Sequence, residues 1–172
     1  MKRKTEFQNF IIKVTESILK DEVFIKNWNT PEYKKFLGEN LRRYSEFTKD
    51  HKNIVRNIGR LRENCRFTED AVSELAKLNS TNWNSIKNNI HQEHILPISE
   101  AIRQLVSISE NPKREKIEEI FDKLELIVIS EREHQLLDGK NGMGLKSKGE
   151  PEERLKAIGA QIHKDYENNS II

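Results

Sequence analysis

Cysteine is almost absent: Cys65 is the single one among 172 residues. One thiol cannot close an internal disulfide or supply a zinc ribbon of paired cysteines, so Cys65 reads as a small buried apolar residue. Long apolar runs are missing as well, and nothing approaches the length of a membrane span. The basic start Met1-Lys2-Arg3-Lys4 is followed by Glu6 and Gln8 rather than by the apolar heart of a signal peptide, so a cytoplasmic protein is expected. Aromatics are scarce at 7%, which with 35% hydrophobic and 34% charged residues describes a helix-rich chain with a modest core.

The length suits one domain with an appended subdomain. Net charge is only +2, but it is unevenly spread. Residues 1–90 hold 18 Lys and Arg against 12 Asp and Glu, and residues 91–172 hold 12 against 16. That asymmetry suggests a front part that meets a polyanion and a rear part that holds cations. We therefore divide the chain into a helical, basic part over 1–82 and a part with mixed strands and helices over 83–172.

Phe7, Phe10, Ile11, Val14 and Ile18 recur at helical spacing and predict a helix over 5–20. Thr30-Pro31-Glu32 marks a second start, with a capping hydroxyl, a proline suited to the first turn and an acid that complements the dipole. From there Tyr33, Phe36, Leu37, Tyr44, Phe47, Ile54, Ile58, Leu61 and Cys65 share one side if helical geometry persists through most of 31–66, with Gly38 and Gly59 as points of interruption. On that assumption Lys35, Arg42, Lys49, Lys52, Arg56 and Arg60 form a basic stripe on the opposite side. Such a stripe can follow a phosphate backbone without reading bases, and it is equally what a solvated helix face looks like. Thr68-Glu69-Asp70 caps a further helix carrying Val72, Leu75 and Leu78.

The character changes after a polar linker at 79–84. A strand is expected from residue 90, ending or bending at Pro97, then helices over 99–109 and 113–124, and a clear β-rich run over 124–129. Ser130 and Glu133 make a capping box, so a helix should begin there with His134 in its first turn. Asp138 stands four residues later, before Gly139. A last helix is expected over 150–166, packing Leu155, Ile158 and Ile162. The basic segment with Lys146 and Lys148 reads either as a phosphate contact or as a linker.

Glu93-His94-Ile95-Leu96-Pro97-Ile98-Ser99, the run 126–130 and His134 resemble the HNH endonuclease family over roughly residues 90–140. The resemblance implies a ββα-metal core, interrupted here by a helical insertion, in a mainly α chain with a small α+β element. It also implies hydrolysis of DNA phosphodiester bonds, with 5′-phosphate and 3′-hydroxyl ends. His94 would be the general base, suited to that work when neutral. Glu93 and His134 would hold a divalent ion, with Asp138 as a third ligand and His91 as a rival to Glu93. Mg2+ or Mn2+ is expected from the carboxylates, and Ni2+ or Zn2+ also fits mixed oxygen and nitrogen ligands.

Glu125 departs from the family, because an asparagine that orients the loop of the catalytic histidine usually stands there, and an ionised Glu cannot donate. Adjacent residues on a regular strand face opposite ways, so Glu93 and His94 share a site only if the chain distorts. A small restriction, defence or phage nuclease is the expected setting, with a homodimer cutting both strands. A non-catalytic helical protein that binds nucleic acid or another partner through a degenerate core is the alternative.

Overall fold

The computed structural model describes residues 5–47, 54–138 and 151–166, with residues 151 and 152 described in backbone only. It is mainly helical with one small sheet. Helix α1 (Glu6–Leu19) opens on a complete capping box, in which Thr5 accepts from the Gln8 amide and Gln8 returns a bond to the Thr5 amide. After α2 (Glu22–Asn27) comes α3 (Pro31–Ser45), which has proline in its first turn as expected, although Thr30 makes no side-chain capping bond.

The expected continuous helix over 31–66 is not formed. α3 stops at Ser45, and α4 spans Ile58–Asn64. Between them Arg56 adopts φ 64°, and Asn57 caps α4 by accepting from the Arg60 amide. The apolar periodicity continues across the break because its two halves enter different cores. Leu37, Leu41 and Tyr44 pack into a first core with α1 residues, whereas Ile54, Ile58, Leu61 and Cys65 pack into a second. The predicted stripe is therefore not one face. Lys35 and Arg42 lie on α3, Arg56 lies in the turn, Arg60 lies on α4, and Lys49 and Lys52 fall outside the described residues.

Strand β1 (Arg66–Phe67), unpredicted, is followed by α5 (Glu69–Leu78), α6 (Trp83–Ile86), β2 (Ile90–His94), α7 (Ile98–Ser107), α8 (Arg114–Phe121), β3 (Leu126–Ser130), α9 (Glu131–Leu137) and α10 (Pro151–Ala157). The sheet order is β1-β3-β2, with β1 parallel and β2 antiparallel to β3. All five residues of β3 are buried, as the central position requires. The final helix is shorter than expected: it ends at Ala157, Gly159 turns the chain at φ 73°, and Ile162 reaches back to bridge Thr68.

The first core brings α1 and α3 against α7 and α8, with Tyr44 edge-on to Phe121 at 4.5 Å. Gly38 lies where α3 meets α7, and a β-carbon added there would make ordinary van der Waals contact with Ile98 Cγ2 at 3.4 Å. The second core lies beneath one face of the sheet around Phe67, Ile90, Leu126 and Val128. A third, smaller core joins Ile127 and Ile129 on the other face to Leu137, with Leu155, Ile158 and Ile162 packed around it as expected. Both larger cores draw residues from each side of position 82. Among the described residues no helix is long and apolar enough to cross a membrane.

Candidate metal centre and adjoining cleft

Strand alternation sorts the residues of β2 into two sets. His91 and Glu93 pair across from Ile129 and Ile127 and share the face covered by α9. Gln92 and His94 pair across from Val128 and Leu126 on the other. The strand stays regular through His94, so Glu93 and His94 do leave it on opposite sides. β2 is however an edge strand, and one cleft wraps round that edge and takes both residues into its lining.

α9 supplies the other half of the site. Its capping box is complete: Ser130 Oγ accepts from the Glu133 amide at 3.1 Å, and Glu133 accepts from the Ser130 amide at 2.8 Å. The same buried carboxylate accepts from Thr68 Oγ1 at 2.6 Å, which ties the start of α9 to the start of α5. This fixes the first turn, and with it Glu131 and His134, over β2.

The result is a compact group of ligand types. His91, Glu131 and His134 each offer one ligand atom, and these atoms all lie within 4.8 Å of one another. The rings of His91 and His134 stack in parallel, 3.9 Å between centroids and 6° between planes. His91 Nε2 is hydrogen-bonded to Glu131 Oε2. Glu93 Oε1 joins from the strand, 3.4 Å from His134 Nε2.

Ligands about 2.1 Å from one ion stand about 3.4 Å apart in a tetrahedral shell, so tightening by up to about 1.4 Å would let one ion contact all three. Such an ion would replace the proton shared by His91 and Glu131, since ligating groups must be deprotonated. Burial acts to raise the Glu131 carboxyl, but hydrogen bonds from Gln135 and His91 and the nearby charge of both histidines hold it below the usual range. His91, Glu131 and His134 can therefore hold a metal ion, while nothing in their geometry selects which one.

Of the expected ligands, Glu93 and His134 are brought together, and the rival His91 joins them. Glu131 was missed. It follows directly after the capping serine, and its only sequence signal is that an acid in the first turn shares a helix face with His134 three residues on. Asp138 is the C-cap of α9 and keeps its four-residue relation to His134, its amide bonded to the His134 carbonyl at 3.2 Å, but it does not join the group of His91, Glu131 and His134. Lys146 and Lys148 lie outside the described residues.

His94 stands apart from this group. Its Nε2 lies 2.8 Å from Ser45 Oγ, and that hydroxyl is also 3.1 Å from the Arg42 carbonyl. Burial, with the charges of Arg42 and Arg154 adding, lowers its pKa to about 4, so the ring is neutral near pH 7. Arg154, only 3% exposed, donates to the carbonyls of His94 and Ile95 at 3.0 and 2.9 Å. Burial lowers the Arg154 pKa, and the nearby carboxylate of Glu93 opposes the fall.

Glu125 directs its carboxylate elsewhere, to Arg66 at 2.6 Å, while its carbonyl accepts from the Ile95 amide at 2.8 Å. The loop after His94 is thus held by one backbone bond from position 125 and two side-chain bonds from position 154. Arg154 carried no sequence signal, since it sits sixty residues away in a charged helix start.

The cleft at the β2 edge has a volume of about 890 Å³ and runs between α3 and α7. Lys35 and Arg42 of the expected stripe line it, and Arg103 of the helical insertion faces them. No family model, curated protein or solved structure matches this chain.

Proposed function

We propose that this chain is a metal-dependent endonuclease that hydrolyses DNA phosphodiester bonds through a core similar to the HNH ββα-metal core. The observation that carries the reading is the junction of two features at one strand edge. An antiparallel strand pair followed by a capped helix gathers His91, Glu93, Glu131 and His134, and a basic cleft with His94 in its wall begins at the same edge. A polyanion lying in the cleft meets Lys35, Arg42 and Arg103 first. A divalent ion held by the cluster would neutralise the charge that develops on the phosphoryl and departing oxygens.

Two imidazoles beside two carboxylates suit Mn2+, Zn2+ or Ni2+ better than Mg2+, which prefers an oxygen shell. His94 enters as a neutral base held by Ser45, and Arg154 fixes the carbonyls on either side of the turn that follows it. A small defence or phage nuclease fits this size and charge.

The test is nicking of supercoiled plasmid with each of these ions by the native protein, His134→Ala and His94→Ala. Nicking by the native chain that drops at least a hundredfold in both variants is expected. Absence of nicking with every ion on varied DNA removes the enzyme reading, and equal nicking by His94→Ala removes that residue from its role. One observation favours a second reading, a polynucleotide-binding protein without activity: Nε2 of His94 is already engaged by Ser45. Salt-sensitive binding without nicking selects it.

A further inference from the structure

We infer that the cleft between α3 and α7 is a channel for an unpaired nucleic-acid strand, with Trp28 as the surface on which a base stacks. The inference builds on the nuclease reading by naming the form of polynucleotide, and it is independent of cleavage. Size is the first argument. At about 890 Å³ the cleft falls within the range of pockets that enclose small molecules, so it takes a few nucleotide units; a duplex would rest only on its rims.

Charge is the second. Lys34, Lys35 and Arg42 on one wall and Arg103 on the other line the cleft with a single carboxylate, Glu93, although Arg42 is also paired with Glu39 at 3.3 Å and Arg103 with Glu100 at 2.7 Å. Lys34, Lys35 and Arg103 are exposed, and neither Lys34 nor Lys35 is ion-paired among the described residues. Cations on both walls suit a phosphate chain that lies between them rather than across them.

The aromatic is the third argument. Trp28 lines the cleft with its indole half-buried, packed against the first core, while the Lys34 ammonium stands 5.6 Å from the ring centroid. An indole that already receives an exposed lysine can exchange that cation for another π partner, and every base offers one. When a base arrives, Lys34 exchanges the ring for a phosphate. From Lys35 to Arg42 the helix rises about 10 Å, some three stacked nucleotides at 3.4 Å each. A strand anchored at Trp28 therefore brings a phosphate a few units along to His94 and Glu93.

The test is run in EDTA, where nothing can be cut. The chain has two tryptophans, so Trp83→Phe leaves Trp28 as the sole emitter. It is titrated with a thymidine oligonucleotide of roughly ten units, a fully paired DNA hairpin of equal charge, and inorganic polyphosphate. The oligonucleotide should quench Trp28 and bind about tenfold more tightly than the hairpin, polyphosphate should compete without quenching, and Arg103→Glu should weaken binding about tenfold. Hairpin binding as tight as the single strand, or equal quenching by polyphosphate, overturns the inference.

Should Trp83→Phe fail to fold, Trp28→Ala and Trp28→Phe are compared in the native background. A tenfold loss with alanine and little with phenylalanine supports stacking, and equal effects overturn it. A failure here leaves the plasmid result standing, and a failure to nick plasmid leaves these titrations unchanged.

Discussion

Replacing Arg154 by Met tests how the strand-edge site is held together. The methionine keeps an unbranched apolar stem but removes the guanidinium that serves the carbonyls of His94 and Ile95. At 3% exposure no water takes its place readily, so two buried acceptors lose a charged donor. Bonds to charged groups contribute about 1.5–3 kcal/mol each, and breaking a buried charged contact costs about 3–5 kcal/mol. We expect a loss of about 3–5 kcal/mol. With a urea slope of about 2 kcal/mol per molar, the unfolding midpoint should fall by roughly 1.5–2.5 M. Arg154→Lys should lose less, because it keeps the charge but has no planar fork to serve two carbonyls together. Urea unfolding followed by far-ultraviolet circular dichroism measures both. A loss below about 0.5 kcal/mol in the methionine variant would refute the argument that Arg154 clasps the loop.

Stability should fall on acidification through His94, whose pKa drops from 6.5 to about 4 on folding. The unfolded chain then takes up more protons between those values, so stability is full above about pH 6.5 and declines toward pH 4. Between pH 7 and 5 the loss is about 2 kcal/mol, and His94→Gln should flatten that slope; an unchanged slope in the variant would show that other groups set it. For the metal, Glu131→Ala should weaken Mn2+ or Zn2+ binding at least about tenfold in calorimetric titration, while Asp138→Ala should leave it nearly unchanged. The reverse ranking would return Asp138 to the ligand set.

Local chemistry was the readable part of this chain. The Ser130–Glu133 box names both of its own partners within four residues, so the start of α9 and the position of His134 follow from it. The strand run over 126–130 is equally self-contained. Residues 31–66 misled because periodicity records that side chains are buried, not where. Tyr44 and Ile58 lie within about 40° of each other in helical phase and enter different cores, and the turn at Arg56 and Asn57 rests on a cap that favours a new helix start without demanding one. Glu131, Ser45 and Arg154 act through contacts whose partners lie 40, 49 and 60 positions away. Spacing rules have no reach over such distances. β1 is two residues long and cannot display alternation at all.

The sixty residues between His94 and Arg154 also carry a consequence for synthesis. At 5–20 residues per second, a ribosome needs on the order of 3 to 12 s to travel from one to the other. Only in the last part of that interval, once α9 has followed β3, can the chain pair β2 with β3 and seat α9, and the turn beyond His94 then still has no guanidinium to fix it. The strand-edge site is thus completed well after its own ligands have been made, and a nascent chain halted before position 154 would carry the ligands without the clasp.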